Sequence, residues 1–344
     1  MKKAISGLVL TIIAILLVAC GSSDAEGDNA GSNDGDKTIR AGIGLNENHP
    51  QYKGLERFKE IVEEKTDGAI QVKLYPSEQL GSDREMIQAV QNGNQEVTIP
   101  STATVANFVP EFNVLNFPFL FPDKETADAV LDGETGEKLL KMLEAKGMVG
   151  LGFWEEGFYN VTNNVRPIET VEDFEGIKLR TMENELLLDV YSELGTNPTP
   201  MAFGEVYTAL QQGTVDGQTN PLSQAYTSKF YEVQEYLSAT HEYYGVWPFI
   251  INKDFFDSLT NEQQNIIREA EKEARKHQRE LNRTQNEDFL KNLKEEGIKY
   301  NEVTPEAREE MRKKIQPLLD DAAKDIPGDI AEEFFDSVEK AKQN

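Results

Sequence analysis

Residues 198–221 read PTPMAFGEVYTALQQGTVDGQTNP, a turn, a helix and a strand in one short run. Pro198 and Pro200 stiffen the chain ahead of Met201-Ala202-Phe203-Gly204. The helix that follows is expected to stop at Gly213, and Val215 to Thr219 reads as a strand. Gly217 within that strand marks a close backbone approach. Asn220, ahead of Pro221, either caps the next helix or offers its amide to a ligand. A strand set between two helices is the repeating unit of an α/β protein.

The same alternation runs through most of the chain. Strands are expected at 38–44, 70–75, 96–99, 148–153, 177–181, 215–219 and 246–251, with helical spacing between them and mostly parallel pairing. Ile70, Val72 and Leu74 alternate with Gln71 and Lys73 until Pro76 ends the run, which gives that strand one buried face. Pro50 opens a helix striped by Leu55, Phe58, Ile61 and Val62 and closed by Gly68. Ser82 and Glu85 form a capping box for a second helix that stops at Gly93. Thr260 and Gln263 cap a third, which meets neither Pro nor Gly until Gly297. At about 35 residues that helix is a strut of ~50 Å. One small lobe does not need such a length, so the strut is expected to cross two.

The N-terminal segment is different. Lys2 and Lys3 precede an apolar run from Ala4 to Ala19, which is shorter than the ~20 residues that span a bilayer. Leu17-Val18-Ala19-Cys20 then places the single cysteine where a lipoprotein is cleaved and acylated. Residues 1–19 are read as a signal peptide, and residues 20–37 as a lipidated Cys20 with a flexible tether rich in Gly, Ser, Asp and Asn. That puts the protein outside the cytoplasm, anchored to the cell membrane. Against 35 basic residues stand 61 acidic ones, for a net charge of -26, which makes nucleic acid and anionic lipid poor partners.

Enzyme constellations are scarce. His49, His241 and His277 are the only histidines and have no metal-ligand spacing. Phosphate-cradling loops and nucleophile elbows are missing, and Gly42-Ile43-Gly44 lacks the third glycine of a dinucleotide site. Glu155 and Glu156 are adjacent, so in a strand they face opposite ways and do not pair as an acid and a base. No cofactor, no metal and no catalysis are expected. Arg180, closing the strand-like Gly176-Ile177-Lys178-Leu179, is more telling. A guanidinium at the end of a buried strand is costly unless it meets an anion, and its fork matches a carboxylate. That anion is either a ligand or one of the chain's own acids. Trp154, ending the strand Leu151-Gly152-Phe153, is a candidate wall for a cleft, as are Phe203 and Trp247.

Taken together, GIKLR (176–180), the 198–221 run, YPSEQLGSDREM (75–86) and the lipobox resemble the DctP-like family, the extracytoplasmic solute-binding subunits of TRAP (tripartite ATP-independent periplasmic) transporters, over roughly residues 38–335. The resemblance implies an α/β, two-lobed, periplasmic-binding-protein-like fold with mixed sheets and a long lobe-spanning helix. It implies a protein whose lobes close on an organic acid and pass it to a TRAP membrane permease, and a monomer is expected. The family's carboxylate-clamping arginine falls on Arg180, its asparagine after the DGQ turn on Asn220, its ligand-packing aromatic on Phe203, and a ligand-contacting asparagine on Asn46. Where relatives carry a second arginine, in a GFRN-like segment, this chain has Tyr159. With one counter-charge fewer, a monocarboxylate such as a sugar acid is expected, its hydroxyls met by Asn46, Glu47, Tyr159 and Asn220. Lobe one is expected at 38–156 plus 247–285, lobe two at 157–246 plus 286–344. The alternatives are a dicarboxylate, a compatible solute held by aromatic walls and one arginine, a surface enzyme acting on acidic sugars, or a subunit of an ATP-driven importer.

Overall fold

The computed structural model describes residues 37–343. The apolar leader, Cys20 and most of the tether lie outside the described residues. Eleven strands are described: β1 (Lys37–Gly42), β2 (Ile70–Tyr75), β3 (Val97–Thr98), β4 (Met148–Phe158), β5 (Asn160–Asn163), β6 (Lys178–Thr181), β7 (Asn197–Pro200), β8 (Gly217–Asn220), β9 (Tyr236–Ala239), β10 (Tyr244–Asn252) and β11 (Lys299–Glu302). They form two sheets, in the orders β2-β1-β3-β10-β4 and β11-β9-β5-β8-β6-β7.

Pairing is more mixed than the helix–strand alternation predicts, and the reason is local. The antiparallel ladders all involve β5 or β10, the strands that begin just after the chain has passed from one sheet to the other. Parallel pairing follows a helical return, and a strand that crosses directly makes none. Only Tyr159 separates β4 in the first sheet from β5 in the second, and residues 240–243 carry β9 back to β10. These two crossings lie side by side: Tyr159 N donates to Tyr243 O at 2.8 Å, and the two rings meet edge-on at 4.7 Å.

The four strands without a sequence signal, β5, β7, β9 and β11, are four residues each. Asn197-Pro198-Thr199-Pro200 pairs as β7, where a rigid loop is expected from its prolines. Because β7 ends its sheet, a missing proline N–H costs no ladder bond on the outer side. Gly217 makes the close approach its sequence suggests, since a Cβ there would lie 2.4 Å from Thr162 O on β5.

The long helix spans Asn261–Glu295 and begins at the Thr260/Gln263 capping box. It packs on the first helix (Pro50–Lys65), on β4 of the first sheet, and on the helix Leu222–Thr227 that follows β8 of the second. On β4, an edge strand, Gln278 replaces the absent neighbour: its Oε1 accepts from Glu155 N at 3.0 Å and its Nε2 donates to Glu155 O at 2.6 Å. Arg275, Arg279 and Arg283, one turn apart, form a ladder against Asp132, Asp128 and Glu155.

Candidate functional site

Arg180 sits on β6, between β7 and β8, and is 3% exposed. Its Nε and Nη2 both donate to Met201 O, at 3.2 and 2.8 Å. Among the described residues no carboxylate comes within ion-pair distance of it. Burial draws its pKa down to about 10, against the weaker opposing field of Tyr159, Asp83 and Glu78, so it stays charged at neutral pH. A cavity of about 30 Å³ adjoins it, and Tyr159, Phe203, Asn220 and Trp247 line the same space. That volume holds a water or two, and a larger guest requires the walls to part.

The cavity is rich in unused donors. Trp247 Nε1 is buried without a hydrogen-bond partner. The Tyr159 hydroxyl reaches Met182 Sδ at 3.9 Å and lies close to the Trp247 N–H. Burial holds the phenol pKa well above its ordinary value, outweighing the downward pull of that N–H, so it keeps its proton. Asn220 spends its amino group on Gln218 Oε1.

Other predicted residues stand elsewhere. Trp154 is fully buried in the first-sheet core, its ring 5.8 Å from Phe249 and its Nε1 donating to Glu271 of the long helix at 3.1 Å. It is the cross-strand neighbour of Trp247, but β10 is interior and β4 is the edge, so the long helix covers Trp154 while Trp247 faces the cavity. Asn46 lines a second, open cavity of about 350 Å³, which Phe203 also lines, so that ring stands between the enclosed space and the open one. Two hydrogen bonds join the lips of this opening: Asn46 Nδ2 to Thr227 O at 2.9 Å, and Gly204 N to Glu78 Oε1 at 3.1 Å. Glu47 is exposed and lines neither cavity.

Sequence reasoning missed Asp83, Ser101, Thr104, Met201 and Gln224, all of which line the enclosed cavity. Asp83 lies inside the YPSEQLGSDREM segment, where only the Ser82/Glu85 capping box was legible. That box starts the helix so that Asp83 accepts from Ser101 N at 2.8 Å, and burial pushes its carboxyl up to about 6.

This arrangement matches a known group of proteins. The family model DctP, bacterial extracellular solute-binding protein, family 7, covers residues 41–325. The chain belongs to this family. A sugar acid binding protein from Advenella mimigardefordensis, solved with galactonate, is a DctP relative that superposes with a TM-score of 0.87 at 42% identity, covering 89% of this chain and 99% of that one. The 2,3-diketo-L-gulonate-binding periplasmic protein of Escherichia coli is 34% identical over 76% of this chain and 80% of its own length. The C4-dicarboxylate-binding periplasmic protein of Rhodobacter capsulatus is 36% identical over 80% of this chain and 84% of its own. The two-lobed fold with mixed sheets is that of the DctP family's TRAP solute-binding members, and no described helix is long and apolar enough to cross a membrane.

Proposed function

We propose that the protein binds an organic-acid monoanion, with a sugar acid favoured, and hands it to a TRAP permease without altering it. The observation that carries this is the Arg180 guanidinium, buried beside a cavity and bonded only to a backbone carbonyl. A buried charge left unpaired is costly, and a ligand carboxylate is the partner that fits its free edge. Tyr159 and Trp247 add neutral donors, and Asn220 adds an amide. Phe203 is the apolar wall nearest the mouth, and Asn46 acts at the opening, as a lip of the cleft.

The relatives divide on charge. Galactonate and 2,3-diketo-L-gulonate carry one carboxylate and several oxygen functions, whereas a C4-dicarboxylate carries two. With Tyr159 where a second guanidinium would stand, the monocarboxylate class fits better. In this reading the lobes are built on the two sheets and part to admit the ligand, hinging at Tyr159 and residues 240–243 while the long helix bends or slides. Calorimetric titration with galactonate, succinate and glycine betaine tests it: galactonate is expected to bind and betaine to give no heat, and a protein that binds none of the acids overturns the reading.

The same reading makes residues 1–19 a signal peptide and Cys20 the lipid-bearing residue of a monomer held at the outer face of the membrane. Mass spectrometry of the mature N-terminus checks this, with an acylated Cys20 as the expected first residue.

A further inference from the structure

Glu156 is the extra residue of a β-bulge, since Gly245 pairs with Gly157 and Val246 with Glu155. Bulges re-aim side chains, and this one leaves Glu156 1% exposed, where burial pushes its carboxyl pKa well above the ordinary value and donors from two other segments converge on its two oxygens. Gln51 Nε2 donates to Oε1 at 3.0 Å and Gln224 Nε2 to Oε2 at 2.8 Å, while His49 Nε2 stands 3.5 Å from Oε2. The His49 tautomer is set by its helix-capping role: Nδ1 accepts from Gln51 N at 3.1 Å, which leaves the ring proton on Nε2. Burial holds the imidazole pKa down to about 3, so the ring is neutral. Every one of these groups turns a donor toward Glu156.

For Gln224 this has a consequence in the cavity. Its amino group is tied to Glu156, and its carbonyl Oε1 is the end left buried without a partner. Gln224 is fully buried and lines the Arg180 cavity. We propose that Gln224, oriented by Glu156, is a specificity-determining residue that offers the ligand an acceptor, so it takes a hydroxyl and rejects a second carboxylate. The inference rests on the carboxylate-binding reading above and deepens it: the cavity has a donor end at Arg180 and Trp247 and an acceptor end at Gln224. A carboxylate placed at the acceptor end would leave two acceptors face to face, both desolvated and unpaired.

Two measurements test this. In the ligand-free, ¹⁵N-labelled protein, the Gln224 side-chain amide protons are expected to exchange about a hundredfold more slowly than a free glutamine amide. Exchange at the free rate overturns the orientation. With galactonate and succinate as probes, Gln224→Met is expected to weaken galactonate about tenfold, the worth of one buried hydrogen bond, and to tighten succinate by about twofold or more as the opposing acceptor is removed. Glu156→Gln, which releases the Gln224 amide to turn over, is expected to shift the preference toward succinate by about fivefold or more. Equal losses for both probes overturn the proposal. Failure of the unaltered protein to bind either acid breaks the carboxylate reading instead, and free-rate exchange by itself breaks the hold of Glu156 on Gln224.

Discussion

One buried arginine and a part-buried ladder of three divide the labour of this molecule. On the long helix, Arg279 bonds to Asp132 at 2.6 and 3.0 Å, and Arg283 Nε bonds to Glu155 at 2.6 Å. Burial alone lowers the pKa of Arg283, but hydrogen bonds to Asp128 and Glu155 more than reverse that, and it rises above the ordinary value. Arg180 is buried as deeply or more so, yet its pKa falls, because a carbonyl is all that its guanidinium reaches. The ladder is neutralised by the chain's own acids and clamps the long helix to β4. Arg180 is left for an anion from outside. Burial of a charge thus marks neither stability nor function until its partners are counted.

The comparison can be broken most directly by removing Arg180. Arg180→Ala is expected to weaken acid binding by more than about 100-fold, about 3 kcal/mol, with the unfolding midpoint of the ligand-free protein unchanged or raised. Calorimetry and thermal unfolding read the two halves separately, and intact binding removes Arg180 from the site. Arg283→Met is expected to do the reverse. It leaves the buried Glu155 carboxylate short of its partner and costs about 2 kcal/mol in urea unfolding, below the ~3–5 kcal/mol of a fully buried pair because Arg283 is part exposed. Ligand affinity should hold, and a matching fall in affinity would merge the two roles.

Tyr159→Arg sharpens the contrast by adding a guanidinium beside the first. It is expected to improve succinate relative to galactonate by about tenfold in competition titrations, and an unchanged ratio separates Tyr159 from charge selection. Salt gives the smallest effect. Between about 0.1 M and about 1 M sodium chloride the part-exposed ladder should lose less than ~1 kcal/mol of stabilisation, while the enclosed Arg180 pairing changes affinity by about twofold at most. A steep salt dependence of binding would place Arg180 in open solvent.

Much of the scaffold was legible because local chemistry speaks for itself. The Ser82/Glu85 and Thr260/Gln263 boxes start their helices as written, and the 35-residue helix follows from a run without Pro or Gly. Ile70, Val72 and Leu74 declare a strand through alternation. β5, β7, β9 and β11 declare nothing, because pairing with neighbours decides them and not their own residue pattern. The site shows the same limit. Arg180 stands out as a charge in an apolar strand, whereas Trp154 and Trp247 look equivalent in sequence and part company only through which strand is the edge. Gln224 carries no signal at all, since its orientation comes from a bulged glutamate 68 residues earlier.

By itself the sequence determined the elements with strong local signals, the family, and the arginine on which a carboxylate reading stands. These are properties of short runs, set by backbone geometry and residue type. The tertiary structure alone decided that Arg180 keeps no acid of its own, that Phe203 lines both the enclosed space and the open one, and that Glu156 holds the amino group of Gln224. Each of these depends on distances between segments far apart in the chain, and those distances exist only once burial has folded them together.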